Sequence, residues 1–182
     1  MNADGINVLK NKGAKNLYSA IIQTPLGDMM AIADNKYLYL LDFFDSKYFE
    51  QNKKQLLLEL NAQIIQGEAH TLISIKKDLE RYFQGNLNKF KTKTILTGSQ
   101  FQKDCWNLLK KIHFGSSSSY SDLASKLNKP DSCRAVANAV AKNKLLIIIP
   151  CHRIIRKNSQ ISGYAGGVER KEKLLKLEKI LI

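Results

Sequence analysis

The sequence predicts an α+β protein in two parts: a small domain with an antiparallel sheet and a helix, then a mostly helical domain. Short apolar runs separated by turn residues before residue 50 are typical of antiparallel strands. Apolar residues at helical spacing dominate from residue 71 onward, and the polar segment 86–98 is a plausible linker. We therefore predict an N-terminal domain over residues 1–96 and a C-terminal domain over residues 97–182.

The first domain begins with a strand–turn–strand pattern. Its turns contain Pro, Gly, Asp and Asn, which favour chain reversal, so the runs between them form a small antiparallel meander. The sequence does not decide between helix and strand for residues 47–67, and both remain open there. The predicted strands are Leu17–Ile22, Met29–Ala33 and Tyr37–Phe44.

The other predicted elements are helices. Ser99 and Gln102 form a capping-box signature at the start of the second helix, and Ser121 and Ser132 are placed to cap the third and fourth. Gly85 stands where a left-handed residue commonly ends a helix. The apolar stripes are Leu72, Ile75, Leu79 and Tyr82 or Phe83 in the first helix, and Phe101, Trp106, Leu109 and Ile112 in the second. The helices themselves are Thr71–Gln84, one from Ser99 to about residue 112, one reaching Leu127, Cys133–Ala141 and Val168–Leu181.

Two of these helices, separated by the turn at residues 128–131, are typical of a helix-turn-helix. The second, Cys133–Ala141, is almost all small residues with Arg134 as its one long side chain. A helix that reads base edges in the major groove carries more hydrogen-bonding groups, so this one fits the narrower minor groove better. A tightly packed, buried helix is the structural alternative.

Charge supports a nucleic-acid partner. The chain has 182 residues and a net charge of +13. Residues 1–96 carry 13 Lys and Arg against 10 Asp and Glu, a net of +3, whereas residues 97–182 carry 16 against 6, a net of +10. A basic second half indicates a polyanionic partner. A lysine-rich solvated surface is the simpler alternative.

Composition also excludes several classes of protein. Three cysteines at irregular spacing do not make a disulfide framework and fit a reduced, cytoplasmic compartment. The polar N-terminus has no apolar core of a signal peptide, and no apolar run is long enough to span a bilayer. We expect a protein without membrane association.

The segment most suggestive of chemistry is the aliphatic run 145–149, which ends at Pro150 and continues as Cys151, His152 and Arg153. Such a run predicts a buried, extended segment that delivers a thiol, an imidazole and a guanidinium to one point. Neighbours on an extended chain point to opposite sides, so contact between Cys151 and His152 requires a water or a turn at Pro150. A buried structural cysteine is the alternative.

Residues 101–178 resemble the active-site domain of O6-alkylguanine-DNA alkyltransferases, the methylated-DNA–protein-cysteine methyltransferases. The ordered set of motifs carries this resemblance, and the first half is similar more weakly, through Thr24-Pro25-Leu26-Gly27. The matching residues are Phe114-Gly115, Tyr120, Arg134-Ala135-Val136, Asn143, Pro150-Cys151-His152-Arg153, Gly163-Tyr164, Gly166-Gly167 and Glu178.

The resemblance implies a ribonuclease H-like first domain, a winged-helix-like second domain, and repair of DNA by a single-turnover enzyme. Cys151 would accept the alkyl group from O6-alkylguanine, with O4-alkylthymine left open as a substrate. His152 would take the thiol proton through a water, Glu178 would orient His152, and Asn143 would tie the recognition helix to the cysteine segment.

The resemblance also assigns the binding residues. Tyr120, Ile154, Tyr164 and Ala165 would contact the base, and Tyr120 would donate toward it. Arg134 would replace the flipped nucleotide in the stack, which is reached from the minor groove, and Ala135 and Arg153 would contact the DNA. We expect double-stranded DNA carrying the lesion as the partner, a monomer, no cofactor and no metal. The predicted absence of a metal rests on the first half, which has no cysteine and only His70.

The chain departs from the family pattern at three positions. Lys142 and Lys144 flank Asn143 where Gly and Pro are common, Ala165 replaces a frequent serine, and Ile154 replaces a usual valine. These changes bear on substrate range. The functional alternatives are a non-enzymatic sensor of alkylated DNA, a helix-turn-helix regulator and a cysteine hydrolase. The presence of Cys151 argues against the sensor, the scarcity of polar residues on the second helix against the regulator, and the expected lack of Cys–His contact against the hydrolase.

Overall fold

A computed structural model describes residues 13–156, 161 and 163–181. Its α+β organisation confirms the predicted fold class, with a sheet in the first half and helices in the second. The predicted meander is also confirmed, since β2 pairs antiparallel with both β1 and β3. A fourth strand, β4, pairs parallel with β1, which gives the sheet order β3-β2-β1-β4. The strands are β1 Lys15–Ile22, β2 Met29–Ala33, β3 Leu38–Phe43 and β4 Ala62–Ile64.

The open region 47–67 contains both kinds of element, helix α1 (Phe49–Glu59) and then β4. Helix α1 buries Phe49, Asn52 and Leu56 and leaves Leu58 72% exposed, so its leucine run does not follow one face. The hydrophobic periodicity of residues 47–67 therefore could not distinguish a helix from a strand. Helix α1 covers one face of the sheet, whereas α2 (His70–Phe83) packs against β1 and β2.

The C-terminal half is built from α3 (Gln100–Leu109), α4 (Tyr120–Lys126) and α5 (Cys133–Ala141). The predicted capping box of Ser99 and Gln102 is present. The predicted cap at Ser121 is wrong: Ser119 caps α4 and forms a box with Asp122, which places Tyr120 at the first helical position. Ser132 makes no side-chain cap, because a short 3-10 helix from Pro130 to Ser132 leads directly into α5.

The aliphatic run 145–149 is buried as predicted, apart from a partly buried Ile148, but it is not extended. Leu145 forms one bridge to Leu41 of β3, and the chain then turns, with Ile147 at φ +71°. A β-branched residue rarely adopts that conformation. The turn nevertheless satisfies its buried backbone, since the amides of Ile148 and Ile149 donate to the carbonyls of Leu146 and Leu145.

The last helix, α6 (Val168–Leu177), is shorter than predicted. It ends because Lys179 takes a left-handed conformation at φ +58°, which leaves Glu178 at the C-cap position. None of the helices in the described part of the chain is long and apolar enough to cross a membrane. One core joins the two halves of the molecule, and it includes Met29, Leu41, Trp106, Val136 and Leu174.

Candidate active site

Cys151 lies at the start of a single 3-10 turn, Cys151–Arg153, directly after Pro150. The position is fixed from the first domain, because Leu41 of β3 donates to the carbonyl of Lys144 and accepts from the amide of Leu146. Consecutive residues of a 3-10 turn are rotated by about 120°, so the opposite-sides argument for an extended chain does not apply. Cys151 is 4% exposed, and within the described residues no hydrogen bond joins its thiol to His152.

Asn143 connects the end of α5 to the thiol. Its Nδ2 donates to the Cys151 sulfur at 3.1 Å and to the Ile149 carbonyl at 2.9 Å, while its Oδ1 accepts from the Leu145 amide at 2.9 Å. One fully buried side chain therefore holds both ends of the turned segment and supplies a donor to the sulfur.

The electrostatic environment of the thiol is mixed. Burial raises the pKa of Cys151 to about 11, against the lowering effect of the Asn143 hydrogen bond and of the nearby Lys171 ammonium. Asp42 of β3 adds to the rise, and its own pKa is raised by burial to about 7. At pH 7 a thiol with such a pKa is ionised to only about one part in 10⁴, so a base is needed to generate the nucleophile.

His152 and Glu178 form a buried pair. Nε2 of His152 lies 2.9 Å from Oε1 of Glu178, and neither side chain is exposed. Burial lowers the pKa of His152, although Glu178 opposes this, so the imidazole is neutral at pH 7. Because a carboxylate only accepts, Nε2 must carry the proton. Nδ1, which has no hydrogen-bond partner among the described residues, is then the basic nitrogen.

Glu178 is held by three further donors. Arg153 donates from Nε to Oε2 at 2.7 Å and from Nη2 to Oε1 at 2.9 Å, and the Tyr82 hydroxyl of α2 donates to Oε1 at 2.6 Å. Burial alone would raise the pKa of Glu178, but the hydrogen bonds from His152 and Arg153 outweigh it and hold the pKa at about 2. The carboxylate is therefore charged throughout the neutral range.

This network changes the interpretation of Arg153, which was expected to contact DNA. Its side chain is 8% exposed, and its remaining donor, Nη1, binds the Ile112 carbonyl at 2.6 Å. A guanidinium that neutralises a buried carboxylate is not available to a phosphate outside. Arg153 therefore belongs to the Glu178 network, and these contacts give no support to its predicted contact with DNA, which stays a prediction.

The residues expected to bind the base come from three segments. The loop before α4 forms a bridge to the chain after Cys151, in which Ser118 and Ile154 are partners. Ile154 is fully buried, and Tyr120 lies only two residues along the chain from its partner Ser118. The Tyr164 ring lies edge-on to His152, with centroids 6.4 Å apart, and Ala165 is buried beside it.

Helix α5 presents two different faces. Val136, Ala139 and Val140 are buried, and the Trp106 indole of α3 donates to the Ala139 carbonyl at 2.8 Å. Arg134 and Ala135 are exposed on the other side. The helix is therefore buried on one face only, and its exposed face carries the two residues that were expected to meet DNA.

Three residues near the site were missed from the sequence. Lys171 is fully buried, donates to the Ile154 carbonyl, and has a pKa lowered by burial to about 8, an effect that Cys151 opposes. Tyr82 and Asp42 stood within ordinary helix and strand patterns, where nothing marked them as parts of a site. A lysine at an apolar position of α6, between Val168 and Leu174, was the one available signal.

The two lysines beside Asn143 occupy different environments. Lys144 is buried and pairs with Glu59 at the end of α1 at 3.3 Å, and it donates to Thr97 at 3.2 Å. Lys142 is only partly buried. Lys144 thus stands where proline is common in the family, and its side chain makes a contact between the two domains. Across the described residues, no three His, Cys, Asp or Glu side chains are grouped so that they could hold a metal ion.

Two protein-family models match the chain. The ribonuclease-like domain of 6-O-methylguanine DNA methyltransferase matches residues 17–96, and the DNA-binding domain of the same family matches residues 100–180.

Individual proteins agree with these matches. The methylated-DNA–protein-cysteine methyltransferase of Methanosarcina acetivorans is 36% identical over 89% of this chain and 98% of its own length. The methylated-DNA–protein-cysteine methyltransferase of Haemophilus influenzae is 34% identical over 90% of this chain and 87% of its own length. The structure of Mycobacterium tuberculosis OGT in complex with DNA has a TM-score of 0.75 at 29% identity, and covers 90% of this chain and 92% of that protein. The structure of the M. tuberculosis O6-methylguanine methyltransferase has the same TM-score at 30% identity, and covers 90% of this chain and 93% of that protein.

Proposed function

Because this chain belongs to the 6-O-methylguanine DNA methyltransferase family and has methylated-DNA–protein-cysteine methyltransferase activity, we propose that it repairs DNA by moving one alkyl group from guanine O6 to Cys151. The observation that carries this proposal is the buried group around the sulfur: the Asn143 donor at 3.1 Å on one side and the His152–Glu178 pair next in the chain.

The proposed reaction begins with removal of the thiol proton. Neutral His152 accepts it at Nδ1 through a water, and the charged Glu178 at Nε2 stabilises the imidazolium that forms. Because only a trace of Cys151 is ionised beforehand, we place proton removal in the same stage as attack on the alkyl carbon. The bond from sulfur to carbon forms while the bond from carbon to O6 breaks, and the electron pair stays on guanine.

The leaving guanine takes up negative charge, which a hydrogen-bond donor in the pocket offsets until the base takes up a proton from water and the imidazolium of His152 returns one. We assign that donor to the Tyr120 hydroxyl, with Ile154, Tyr164 and Ala165 enclosing the base. The product is a thioether, which the site has no means to hydrolyse, so each molecule reacts once. One chain supplies every residue in these steps, and we propose that the protein acts as a monomer.

The alkyl carbon is inaccessible inside a duplex, so we propose that the nucleotide is flipped into the pocket, at a cost of a few kcal/mol. Exposed Arg134 on α5 would fill the gap in the stack from the minor groove, and Ala135 would allow close approach. The excess positive charge of residues 97–182 would hold the phosphates.

The test is to incubate the protein with duplex DNA carrying one O6-methylguanine and to measure the mass of the intact protein. We expect the gain of one methyl group per molecule, mapped to Cys151, in the wild type and in Cys133→Ala, and no gain in Cys151→Ala. Binding without a gain in mass would favour a sensor and overturn the proposal, as would a methyl group on another residue. A parallel duplex carrying O4-methylthymine shows whether that base is also a substrate.

A further inference from the structure

The substrate loop, residues 163–167, is held in place by the first domain. The Ala165 carbonyl accepts from the amide of Lys47, which follows β3, at 3.0 Å. The Gly166 carbonyl accepts from Nη1 of Arg170 at 2.9 Å. Two successive carbonyls of the loop are thus fixed, one directly by the first domain and one by a side chain that reaches it.

Arg170, in the first turn of α6, spans the two domains. Its Nε donates to the Leu26 carbonyl at 2.7 Å, and Nη1 and Nη2 donate to the Asp45 carboxylate at 2.9 and 3.1 Å. The guanidinium also lies over the Phe43 ring, 4.2 Å from its centroid. Every nitrogen of this side chain therefore has an acceptor, and two of its partners belong to loops of the first domain.

The packing around this arginine leaves little room for adjustment. A Cβ atom added at Gly166 would lie 3.0 Å from the Phe43 ring and 2.8 Å from the Tyr164 ring. A Cβ atom added at Gly27 would lie 3.0 Å from Nη2 of Arg170. The loop, Phe43 and the Leu26–Gly27 turn are therefore in close contact, and a shift of Arg170 would move the substrate loop.

We propose that Arg170 is a positioning residue for alkyl transfer: it fixes the substrate loop against the first domain, so that Tyr164 and Ala165 hold the base at the thiol. This inference rests on the proposed role of the loop in binding the base. It gives the first domain a part in the reaction, through the Leu26 carbonyl and the Phe43 ring.

The contacts of Arg170 are not equally important. Asp45 is 68% exposed, so its ion pair is solvated and contributes little by itself. The two carbonyl acceptors are less exposed, and they join the substrate loop at Gly166 to the first domain at Leu26. Removal of the guanidinium should therefore slow transfer much more than removal of the Asp45 charge. Lysine cannot reproduce the planar set of donors, so it should only partly replace arginine.

The experiment uses single-turnover kinetics with excess O6-methylguanine duplex, and measures both the maximal transfer rate and the DNA concentration for half-maximal rate. We expect Arg170→Met to lower the maximal rate by about tenfold, since small misplacements of reacting groups cost up to about 10²-fold. The half-saturating DNA concentration of Arg170→Met should stay within about twofold of the wild-type value. In Asp45→Asn, both the maximal rate and the half-saturating concentration should stay within about twofold of the wild type, because the Asp45 ion pair is solvated.

The matched control is Lys173→Met, which removes an exposed cation from the same helix and should change neither value. An unchanged maximal rate in Arg170→Met would overturn the proposal. Equal losses of rate and DNA binding, together with a lower melting temperature, would show a merely structural role and also overturn it. If Arg170→Met does not fold, a rate in Arg170→Lys equal to the wild type overturns the proposal and a partial loss supports it. Absence of transfer in the wild type would instead overturn the proposed function.

Discussion

The Cys151 sulfur combines two opposing influences that can be separated by mutation. Burial raises the pKa of the thiol, and the Asn143 amide and the Lys171 ammonium counteract this without overcoming it. The amide is a fixed dipole that also closes the turned segment, whereas the ammonium acts mainly through its charge. Lys171 is therefore the better residue for testing electrostatics, since the hydrogen bond it donates within the described residues goes to the Ile154 carbonyl and not to the sulfur.

Replacement of Lys171 by methionine should slow modification of Cys151 by iodoacetamide at pH 7 by about tenfold, the usual effect of one nearby cation on an ionising group. The free energy of unfolding should change by less than about 2 kcal/mol, because relief of a desolvated charge offsets the lost hydrogen bond to the Ile154 carbonyl. Both quantities are measured on the same protein, the first by mass spectrometry and the second by urea unfolding. Lys173→Met is the control, and equal thiol reactivity in the two variants would contradict this prediction.

Residue chemistry was predictable where a motif marks it and unpredictable where burial decides it. The sequence placed Cys151, His152 and Glu178 in one site, and the structure brings the last two within 2.9 Å. The family resemblance implied that Arg153 contacts DNA, whereas in the structure its guanidinium binds Glu178. The decisive fact, that Glu178 needs a buried cation, depends on where the end of α6 packs, and sequence does not reveal that.

Among the elements, α4 depends on a cap that the sequence misplaced by two residues. The Ser119 hydroxyl accepts from the Asp122 amide and donates to its carboxylate, and the Ser119 amide also donates to that carboxylate. Four serines in succession all have the chemistry of a cap, so only the chain direction, set by the bridge from Ser118 to Ile154, selects one of them. The same cap fixes the start of the helix at Tyr120.

Ser119→Ala should therefore lower the free energy of unfolding by about 1 kcal/mol, the usual cost of a lost N-cap. Ser121→Ala, at the position predicted from sequence, should cost less than about 0.5 kcal/mol. Urea unfolding of both variants provides the comparison. A larger loss in Ser121→Ala than in Ser119→Ala would show that the cap is misassigned.

The exposed face of α5 leads to a prediction about DNA. Arg134→Ala should reduce transfer from duplex O6-methylguanine by about 10- to 100-fold, because the cost of flipping is no longer offset by a side chain in the stack. Reaction with a short single strand carrying O6-methylguanine, whose base is already unpaired, should fall much less. Lys77→Ala, an exposed lysine on α2, controls for general loss of positive charge. An equal loss with both substrates would place Arg134 in the base pocket instead.

The organisation of the elements was predictable to the extent that it follows from periodicity and turn residues. The meander and the helices carry those signals in consecutive residues. The run 145–149 was predicted as extended because its composition suits a strand, but hydrogen bonds within the turn and to Leu41 set its conformation. The pairing of β4 with β1 is likewise a long-range contact with no local signal.

At the scale of the whole molecule, the two domains meet at the functional site. Tyr82 of α2 donates to Glu178, Lys144 pairs with Glu59, and Arg170 binds Asp45. Composition predicted a boundary near residue 96. It could not predict these three contacts, because each joins residues that are far apart in the sequence. They imply that the stability of the molecule and the geometry of its site depend on the same side chains.

Glu178 makes that dependence measurable through pH. Its pKa of about 2 in the folded protein lies below the ordinary value of 4.5, so the unfolded chain takes up the proton first as the pH falls. The stabilisation is complete above about pH 4.5 and is lost between there and pH 2, and amounts to a few kcal/mol. His152, whose pKa is lowered by burial, adds its own loss at higher pH, below the ordinary value of 6.5.

Glu178→Gln should be less stable than the wild type at pH 7, because Arg153 then lies buried without a counterion. Its free energy of unfolding should, however, change less between pH 4.5 and pH 2, so that the difference from the wild type narrows on acidification. Urea titrations across this range measure the slope, with Glu80→Gln, an exposed glutamate of α2, as the control. Parallel slopes in the wild type and Glu178→Gln would mean that Glu178 takes up its proton alike in the folded and unfolded states. The contacts from Tyr82, His152 and Arg153 would then contribute nothing to the acid stability of the molecule.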